Sequence, residues 1–308
     1  MSENDAPFEL SNVKIPSKTP GWNLDAWKYV PKNKTSGPLF PVIVMAHGFS
    51  ANKKMGLAPY AEEFVSKGYA CVVFDYRRFG DSDGSPRDCV YTSEQLEDYR
   101  TVIAWVRQHQ DEFDSQRVIL WGTSYSGGHA VSLASEQNLK LACAIAQCPY
   151  VGKAAKPPFG VFLKMSAYGV VDLLRQMVRC EPLYISACAE PGKMGAMTTP
   201  DSIAGLERLV RDKRDYPNRI SASSMFEFPF YNPSSKASKI SCPLLLVIAE
   251  RDELCPLDFV LRRVVSASKY VSESRTHGGH FDMYHGGSDY ETSLKAQLEF
   301  IQRHVPTT

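Results

Sequence analysis

Residues 120–130 read LWGTSYSGGHA, and this stretch decides how the fold is interpreted. The apolar run before Gly122 is typical of a buried strand, and the small residues after it are typical of a tight turn into a helix. A serine at such a turn is lifted out of the sheet, where it can act as a nucleophile. Two serines compete for the position. The pattern Gly-x-Ser-x-Gly lacks its second glycine when centred on Ser124, and its first when centred on Ser126.

Ser124 is the better candidate for the nucleophile. The residues two before and two after it must be small, because larger side chains would collide with the strand and the helix. For Ser124 these residues are Gly122 and Ser126, whereas Ser126 would have bulky His129 three positions later. We therefore predict that Ser124 attacks and that Ser126 substitutes for glycine. A Gly/Ser-rich turn without catalytic function is the alternative on this motif alone.

Strand-length apolar runs alternate with segments of helical period along most of the chain. This alternation predicts an α/β fold around a mostly parallel sheet. A helix is predicted from Thr92 to Gln108, with Thr92 and Gln95 as its capping box, and a last helix from about 290 to 303. The predicted strands cover residues 41–46, 69–76, 117–122, 141–147, 243–249 and 269–276, with an antiparallel edge hairpin at 8–15 and 23–30.

The alternation breaks after Cys148. Residues 149–240 contain helical patches, prolines and an aromatic run, MFEFPFY, at 225–231. Roughly 90 residues is too long for a simple connection between two strands of one sheet. We therefore predict a helical cap at 149–240, inserted into a core domain formed by residues 1–148 and 241–308.

A candidate for the catalytic acid follows the predicted strand at 243–249. The sequence there continues as Glu-Arg-Asp-Glu, so that Asp252 lies at the carboxyl end of the strand, where active sites of open α/β sheets assemble. Glu250 and Glu253 are rivals, but Asp252 has the usual offset. A solvated acidic loop is the alternative interpretation.

Two histidines follow the last predicted strand, in the stretch THGGHFD at 276–282. The Gly-Gly pair before His280 gives the loop the freedom to carry the imidazole toward Ser124, so we predict His280 as the base. His277 lies closer to the strand and is the rival. A metal site formed by His277, His280 and His285 is disfavoured, because the spacing matches no familiar ligand motif.

Oxyanion donors are predicted in the loop HGFS at 47–50, which follows the strand at 41–46. Backbone N–H groups of Phe49 and of Tyr125, the residue after the nucleophile, would form the oxyanion hole. His47 is expected to brace this loop. Nucleophile, acid and histidine then follow the chain order Ser, Asp, His.

Composition restricts the remaining functions. The chain has 35 Lys and Arg against 34 Asp and Glu, which gives no electrostatic reason to expect a nucleic-acid partner. No apolar run approaches the ~20 residues that span a bilayer. The N-terminal MSENDAPFEL does not have the pattern of a signal peptide. The eight scattered cysteines favour a cytoplasmic protein with reduced thiols. No cofactor or metal is expected.

Together these motifs resemble the α/β-hydrolase family across nearly the whole chain. The matching stretches are MAHGFS (45–50), FDYRRFGDSDG (74–84), LWGTSYSGG (120–128), AERDELCP (249–256) and HGGHFDMY (277–284). Ser126, the helix containing QLEDYR and the segment PGKMGAMTTPD (191–201) resemble a narrower group, which includes dienelactone-hydrolase-like esterases, peptidase-like relatives and fungal polyketide transferases.

The resemblance implies a serine hydrolase or acyltransferase that acts on an ester or thioester. It implies release or transfer of a polyketide-type acyl chain, from a small molecule or from an acyl carrier protein. A basic run at 208–214 would suit an acidic carrier, although a solvated helix face is the more common explanation of such a run. A general carboxylesterase, a prolyl-type peptidase and a non-catalytic ligand-binding protein are the alternatives. A homodimer is left open.

Overall fold

A computed structural model describes residues 6–32, 39–152 and 157–307. The strands are β1 (Phe8–Pro16), β2 (Asn23–Pro31), β3 (Phe40–Ala46), β4 (Ala70–Phe74), β5 (Phe113–Thr123), β6 (Cys143–Gln147), β7 (Tyr184–Cys188), β8 (Gly195–Met197), β9 (Arg219–Ser221), β10 (Leu244–Ala249) and β11 (Val271–Thr276). The helices are α1 (Ala58–Ser66), α2 (Thr92–Gln108), α3 (Tyr125–Ala134), α4 (Phe159–Met177), α5 (Ser202–Leu209), α6 (Glu227–Phe230), α7 (Phe259–Ser266) and α8 (Tyr290–His304).

The main sheet, as far as the chain is described, has eight strands in the order β1-β2-β4-β3-β5-β6-β10-β11. β1 and β2 form the predicted antiparallel hairpin, and β2 also pairs antiparallel with β4. The other strands pair in parallel, which confirms the predicted fold class. Because parallel strands end at the same edge, the loops after β3, β5, β6, β10 and β11 come together there.

The central strands are apolar on both faces because both faces of the sheet are covered. Every residue of β4, β6 and β10 is buried, as expected for mainly apolar runs in a parallel sheet. Helices α2 and α3 pack against β5, and α8 packs against β10 and β11. This packing fixes the strand ends that carry the candidate site.

Helix α2 has the predicted bounds, but its predicted capping box is wrong. Its N-cap is Tyr91, which makes no side-chain capping bond. The Thr92 hydroxyl instead bonds the Tyr125 hydroxyl at 2.7 Å. The first-turn N–H of Thr92 is satisfied by the carboxylate of Glu227, 3.0 Å away and 135 residues later. A tertiary contact has therefore replaced the local cap.

Between β6 and β10 the chain forms α4, α5, α6 and short 3₁₀ turns, together with a small sheet in the order β8-β7-β9 within the residues described there. The predicted cap is helical, and the small sheet is an addition to that prediction. β8 and β9 are three residues long, too short to produce an alternating pattern. The division into a core and a cap at 149–240 remains a prediction. Across the described ranges, no helix has the length and apolar character needed to cross a bilayer.

Candidate active site

Ser124 lies at the turn between β5 and α3, in a backbone conformation that non-glycine residues rarely adopt. Its φ is 59° and its ψ is −120°. Such strain persists only where the surroundings fix it, and here the Ser124 N–H donates to the Gln147 carbonyl oxygen at 2.8 Å. The Ser124 carbonyl oxygen accepts from the N–H groups of Gly128 at 3.2 Å and Tyr150 at 2.9 Å. The turn has the geometry of a nucleophile elbow.

The residues around this turn must be small because neighbouring atoms lie too close for larger side chains. A Cβ on Gly122 would lie 2.2 Å from the Ser126 carbonyl oxygen, so a side chain there would collide with the first turn of α3. Ser126 itself is completely buried. Its hydroxyl lies 3.1 Å from the Tyr76 hydroxyl and 2.6 Å from the Tyr99 hydroxyl. Ser126 is therefore held inside the protein, whereas Ser124 is partly exposed.

His280 and Asp252 come together from the loops that follow β11 and β10. His280 Nδ1 lies 2.6 Å from Asp252 Oδ2, and both side chains are buried. Asp252 Oδ1 accepts from the N–H groups of Leu254 at 2.9 Å and Cys255 at 2.7 Å. The carboxylate is therefore fixed by backbone donors and faces the imidazole, the arrangement that orients a catalytic histidine.

Burial lowers the pKa of the His280 imidazole, but the charge and hydrogen bond of Asp252 outweigh burial, so that the net pKa is raised. The end of β6 joins this pair to the elbow. The Ser124 N–H donates to the Gln147 carbonyl oxygen at 2.8 Å, and the Sγ of the next residue, Cys148, lies 3.8 Å from the His280 carbonyl oxygen. Ser124, Asp252 and His280 therefore lie at the same carboxyl edge of the sheet, around the end of β6.

The predicted oxyanion loop runs beside the elbow. A Cβ on Gly48 would lie 2.9 Å from the Ser124 Cβ, so only glycine allows this approach. The Phe49 and Tyr125 rings are in edge contact, with centroids 5.6 Å apart. These contacts place the loop that contains Phe49 next to Ser124 and Tyr125. The role of the Phe49 and Tyr125 N–H groups as an oxyanion hole remains a prediction.

His47 is buried behind this loop. Its Nδ1 lies 2.9 Å from the Gly48 carbonyl oxygen and its Nε2 lies 3.8 Å from Asp75. Burial lowers the pKa of His47, which keeps the ring neutral. This position agrees with a bracing function, as does the ring contact with Tyr76 at 4.8 Å.

A buried ammonium anchors the same loop. Lys53 Nζ lies 2.7 Å from Asp25, 2.7 Å from Asp75 and 2.9 Å from Asp81. Burial lowers the pKa of Lys53, but these carboxylates reverse the effect and raise the pKa above its usual value. The three aspartates are close enough to share a cation, and the Lys53 ammonium supplies that charge. The four residues are spread along the chain and form no recognisable sequence motif.

The rival candidates lie elsewhere. His277 is almost fully exposed and pairs with Glu250 at 3.0 Å. His129 is buried between Gln95 and Tyr231, and burial lowers its pKa to about 3. Among the described residues, the groups that could share a metal ion contain neither His277 nor His285.

An aromatic layer covers Tyr125 from the segment 149–240. The Phe228, Tyr150 and Tyr231 rings have centroids 5.3, 5.5 and 5.3 Å from that of Tyr125. Phe228 also lies 4.8 Å from Phe49. The aromatic run at 225–231 signalled these residues in the sequence, but its placement above Phe49 and Tyr125 depends on the tertiary fold.

Comparison with known proteins shows the family to which the chain belongs. The sequence profile of the X-Pro dipeptidyl-peptidase (S15) family matches residues 21–182. The chain is 33% identical to the quorum-quenching protein AidA of Acinetobacter baumannii, over 98% of this chain and 95% of AidA. It is 27% identical to the polyketide transferase grgF of a Penicillium species, over 86% of this chain and 88% of the relative.

A solved structure agrees with the fold. The crystal structure of the α/β-hydrolase GrgF from Penicillium sp. sh18 covers 96% of this chain and 99% of its own, with a TM-score of 0.78 at 23% identity. The predicted resemblance to α/β-hydrolases near the fungal polyketide enzymes is confirmed. The chain is an enzyme of the α/β-hydrolase type, and it belongs to the family described by the X-Pro dipeptidyl-peptidase (S15) profile.

Proposed function

We propose that the chain is a serine acyl hydrolase or acyltransferase that acts on an ester or thioester through an acyl-enzyme. One observation carries the proposal: the strained turn at Ser124 and the buried pair of His280 and Asp252 meet at the end of β6, on the carboxyl edge of the sheet. A nucleophile, a base and an acid that orients the base are the parts that acyl transfer needs.

In this mechanism Ser124 Oγ attacks the acyl carbonyl carbon while His280 Nε2 takes the hydroxyl proton. Asp252 stabilises the imidazolium through Nδ1, and the N–H groups of Phe49 and Tyr125 bind the oxyanion. His280 then gives the proton to the leaving alcohol or thiol, and Ser124 keeps the acyl group. Water or a second nucleophile then attacks the acyl-enzyme and gives its proton to His280. The bond between Ser124 Oγ and the acyl carbon breaks, and His280 returns the proton to Ser124 Oγ as the chain leaves.

We infer that the acyl chain is of polyketide type. The aromatic residues Phe228 and Tyr150 would cover an apolar chain and restrict water at the acyl-enzyme, which gives a second nucleophile time to compete. Relatives named polyketide transferase, thiohydrolase and acyltransferase support this substrate class.

The direct test is incubation with a fluorophosphonate followed by intact mass measurement. We expect a single adduct that maps to Ser124. A series of acyl thioesters then tests the substrate class, and we expect kcat/KM to rise from acetyl to medium-chain substrates. A flat series with best activity on acetyl esters would favour a general carboxylesterase. Preferential cleavage of X-Pro amides would favour the prolyl-type peptidase.

We also propose an acidic acyl carrier protein as the donor of the chain. In the basic run at 208–214, Arg211 lines a surface cavity together with Lys54 and Tyr216. The Tyr216 hydroxyl lies 3.3 Å from Ser50, which belongs to the oxyanion loop. Arg211→Glu should raise KM for carrier-bound substrates and leave small thioesters unchanged. Arg214→Glu is the matched control, because Arg214 already pairs with Asp212 at 2.6 Å. Equal effects of both variants would contradict a specific docking site.

A further inference from the structure

Helix α4 exposes a large apolar surface. Phe159, Leu163 and Met177 are 75%, 52% and 78% exposed. The helix packs against the rest of the protein through its buried residues, which are Met165, Gly169 and Asp172. Apolar surfaces of this extent on a folded protein mark interaction sites. The exposed residues include no acidic side chain within α4, because Asp172 is buried.

Five exposed apolar residues and the half-buried Ser166 form one straight stripe with a coiled-coil spacing. With about 100° of rotation per residue, the stripe is roughly 80° wide and separate from the buried residues of the helix. Its members are four and three residues apart in alternation, which is the seven-residue repeat that packs one helix along another. They are Phe159, Leu163, Ser166, Val170, Leu173 and Met177.

The stripe can also pair with an antiparallel copy of itself. Mirrored about Tyr168, Phe159 faces Met177, Leu163 faces Leu173, and Ser166 faces Val170. The flanking Phe162 and Leu174, 53% and 57% exposed, form a fourth mirrored pair. An antiparallel partner with the same sequence would meet every member of the stripe with another member. A lipid surface or an unrelated groove would require neither the spacing nor the mirror symmetry.

We propose that α4 pairs with α4 of a second copy across a two-fold axis near Tyr168. In such an isologous interface, residue i contacts residue j and j contacts i. The exposed cations Lys164 and Arg175 lie about 140° and 160° around the helix from Phe159, outside the contact. Mirroring places neither of them against a second cation. The antiparallel orientation also aligns the two helix dipoles favourably.

The pairing helix is firmly attached to the segment above the active site. The Asp172 carboxylate accepts hydrogen bonds from the Ser221 hydroxyl at 2.6 Å and from the N–H groups of Ser223 at 2.9 Å and Leu183 at 2.8 Å. A Cβ on Gly169 would lie 2.6 Å from the Phe226 ring, so the helix packs closely on the turn that leads to Phe228. The dimer would therefore join the two aromatic layers. This inference goes beyond the proposed chemistry and does not depend on it.

Light scattering of the full chain during size-exclusion chromatography tests the proposal. We expect the wild-type mass to be about twice 34.4 kDa at micromolar concentration. Leu163→Glu and Leu173→Lys should each raise the dimer dissociation constant about 100-fold, because a charge would be buried without a partner. The double variant should recover the dimer, because the two-fold axis places each introduced glutamate against an introduced lysine.

Val171→Glu is the matched control, since Val171 is 47% exposed on the same helix but outside the stripe. It should leave the mass unchanged, and circular dichroism should show that every variant is folded. A monomeric wild type overturns the proposal, as does dissociation by Val171→Glu equal to that by Leu163→Glu. Failure of the double variant to recover the dimer excludes this register. A monomer that floats with phosphatidylcholine–phosphatidylserine vesicles would assign the stripe to a membrane surface.

Discussion

His280 Nδ1 lies 2.6 Å from Asp252 Oδ2, and the second oxygen of the same carboxylate is held by the N–H groups of Leu254 and Cys255. Backbone N–H groups thus hold one oxygen of the Asp252 carboxylate, and the other oxygen orients the imidazole. A hydrogen bond from Nδ1–H to Asp252 leaves Nε2 as the proton acceptor. The pair therefore fixes which imidazole nitrogen can act as the base.

Loss of the imidazole should remove turnover. We expect His280→Ala to lower kcat by about 10³-fold or more, because the members of a triad act as one unit. His277→Ala is the control, since His277 is exposed and pairs with Glu250. Steady-state kinetics on an activated ester measure both. Near-normal turnover in His280→Ala, with loss in His277→Ala, would show that the wrong histidine was chosen.

The pH dependence follows from the raised pKa of His280. The general base must be neutral, so kcat/KM should increase with pH, with a midpoint above the ordinary histidine value of 6.5. Asp252→Asn removes the charge that raises the pKa, while burial still lowers it. The midpoint of that variant should therefore move to lower pH, along with a large loss of rate. A midpoint that stays in place or moves upward contradicts the assigned pair.

A labelling experiment should distinguish the roles of Ser124 and Ser126. Ser124→Ala should abolish the fluorophosphonate adduct because it removes the attacking hydroxyl. Ser126→Gly should keep the adduct, but should cost about 1 kcal/mol of stability because Tyr76 and Tyr99 lose a buried partner. Intact mass and denaturant unfolding measure these two effects. An adduct that persists in Ser124→Ala and maps to Ser126 would reverse the assignment.

The ammonium of Lys53 should be essential for stability. Lys53→Met would leave Asp25, Asp75 and Asp81 without their shared cation, and removal of one member of a buried pair costs about 3–5 kcal/mol. Lys54→Met is the matched control, because Lys54 is partly exposed and such pairs contribute about 1 kcal/mol or less. Chemical denaturation measures the free energy of unfolding. Equal losses in the two variants would contradict the special role of Lys53.

The strands and the order of the motifs could be predicted from the sequence, because both depend on local patterns. The apolar runs before Gly48, Ser124 and Asp252 are long enough to specify strands, and polar residues follow each run. Since parallel strands end at one edge of a sheet, order along the chain predicts proximity in space. The choice of Ser124 over Ser126 likewise rested on the local requirement for small neighbours.

Contacts between segments that are distant in the sequence were decided only by the tertiary structure. Lys53 pairs with Asp25 and Asp81, but no sequence motif connects the three residues. The N–H group of Thr92 donates to the carboxylate of Glu227 and not to the side chain of Gln95. The apolar stripe of α4 has the period of a buried helix, and only the fold shows that it faces outward. Periodicity records which residues share a face, whereas burial depends on what the rest of the chain places against that face.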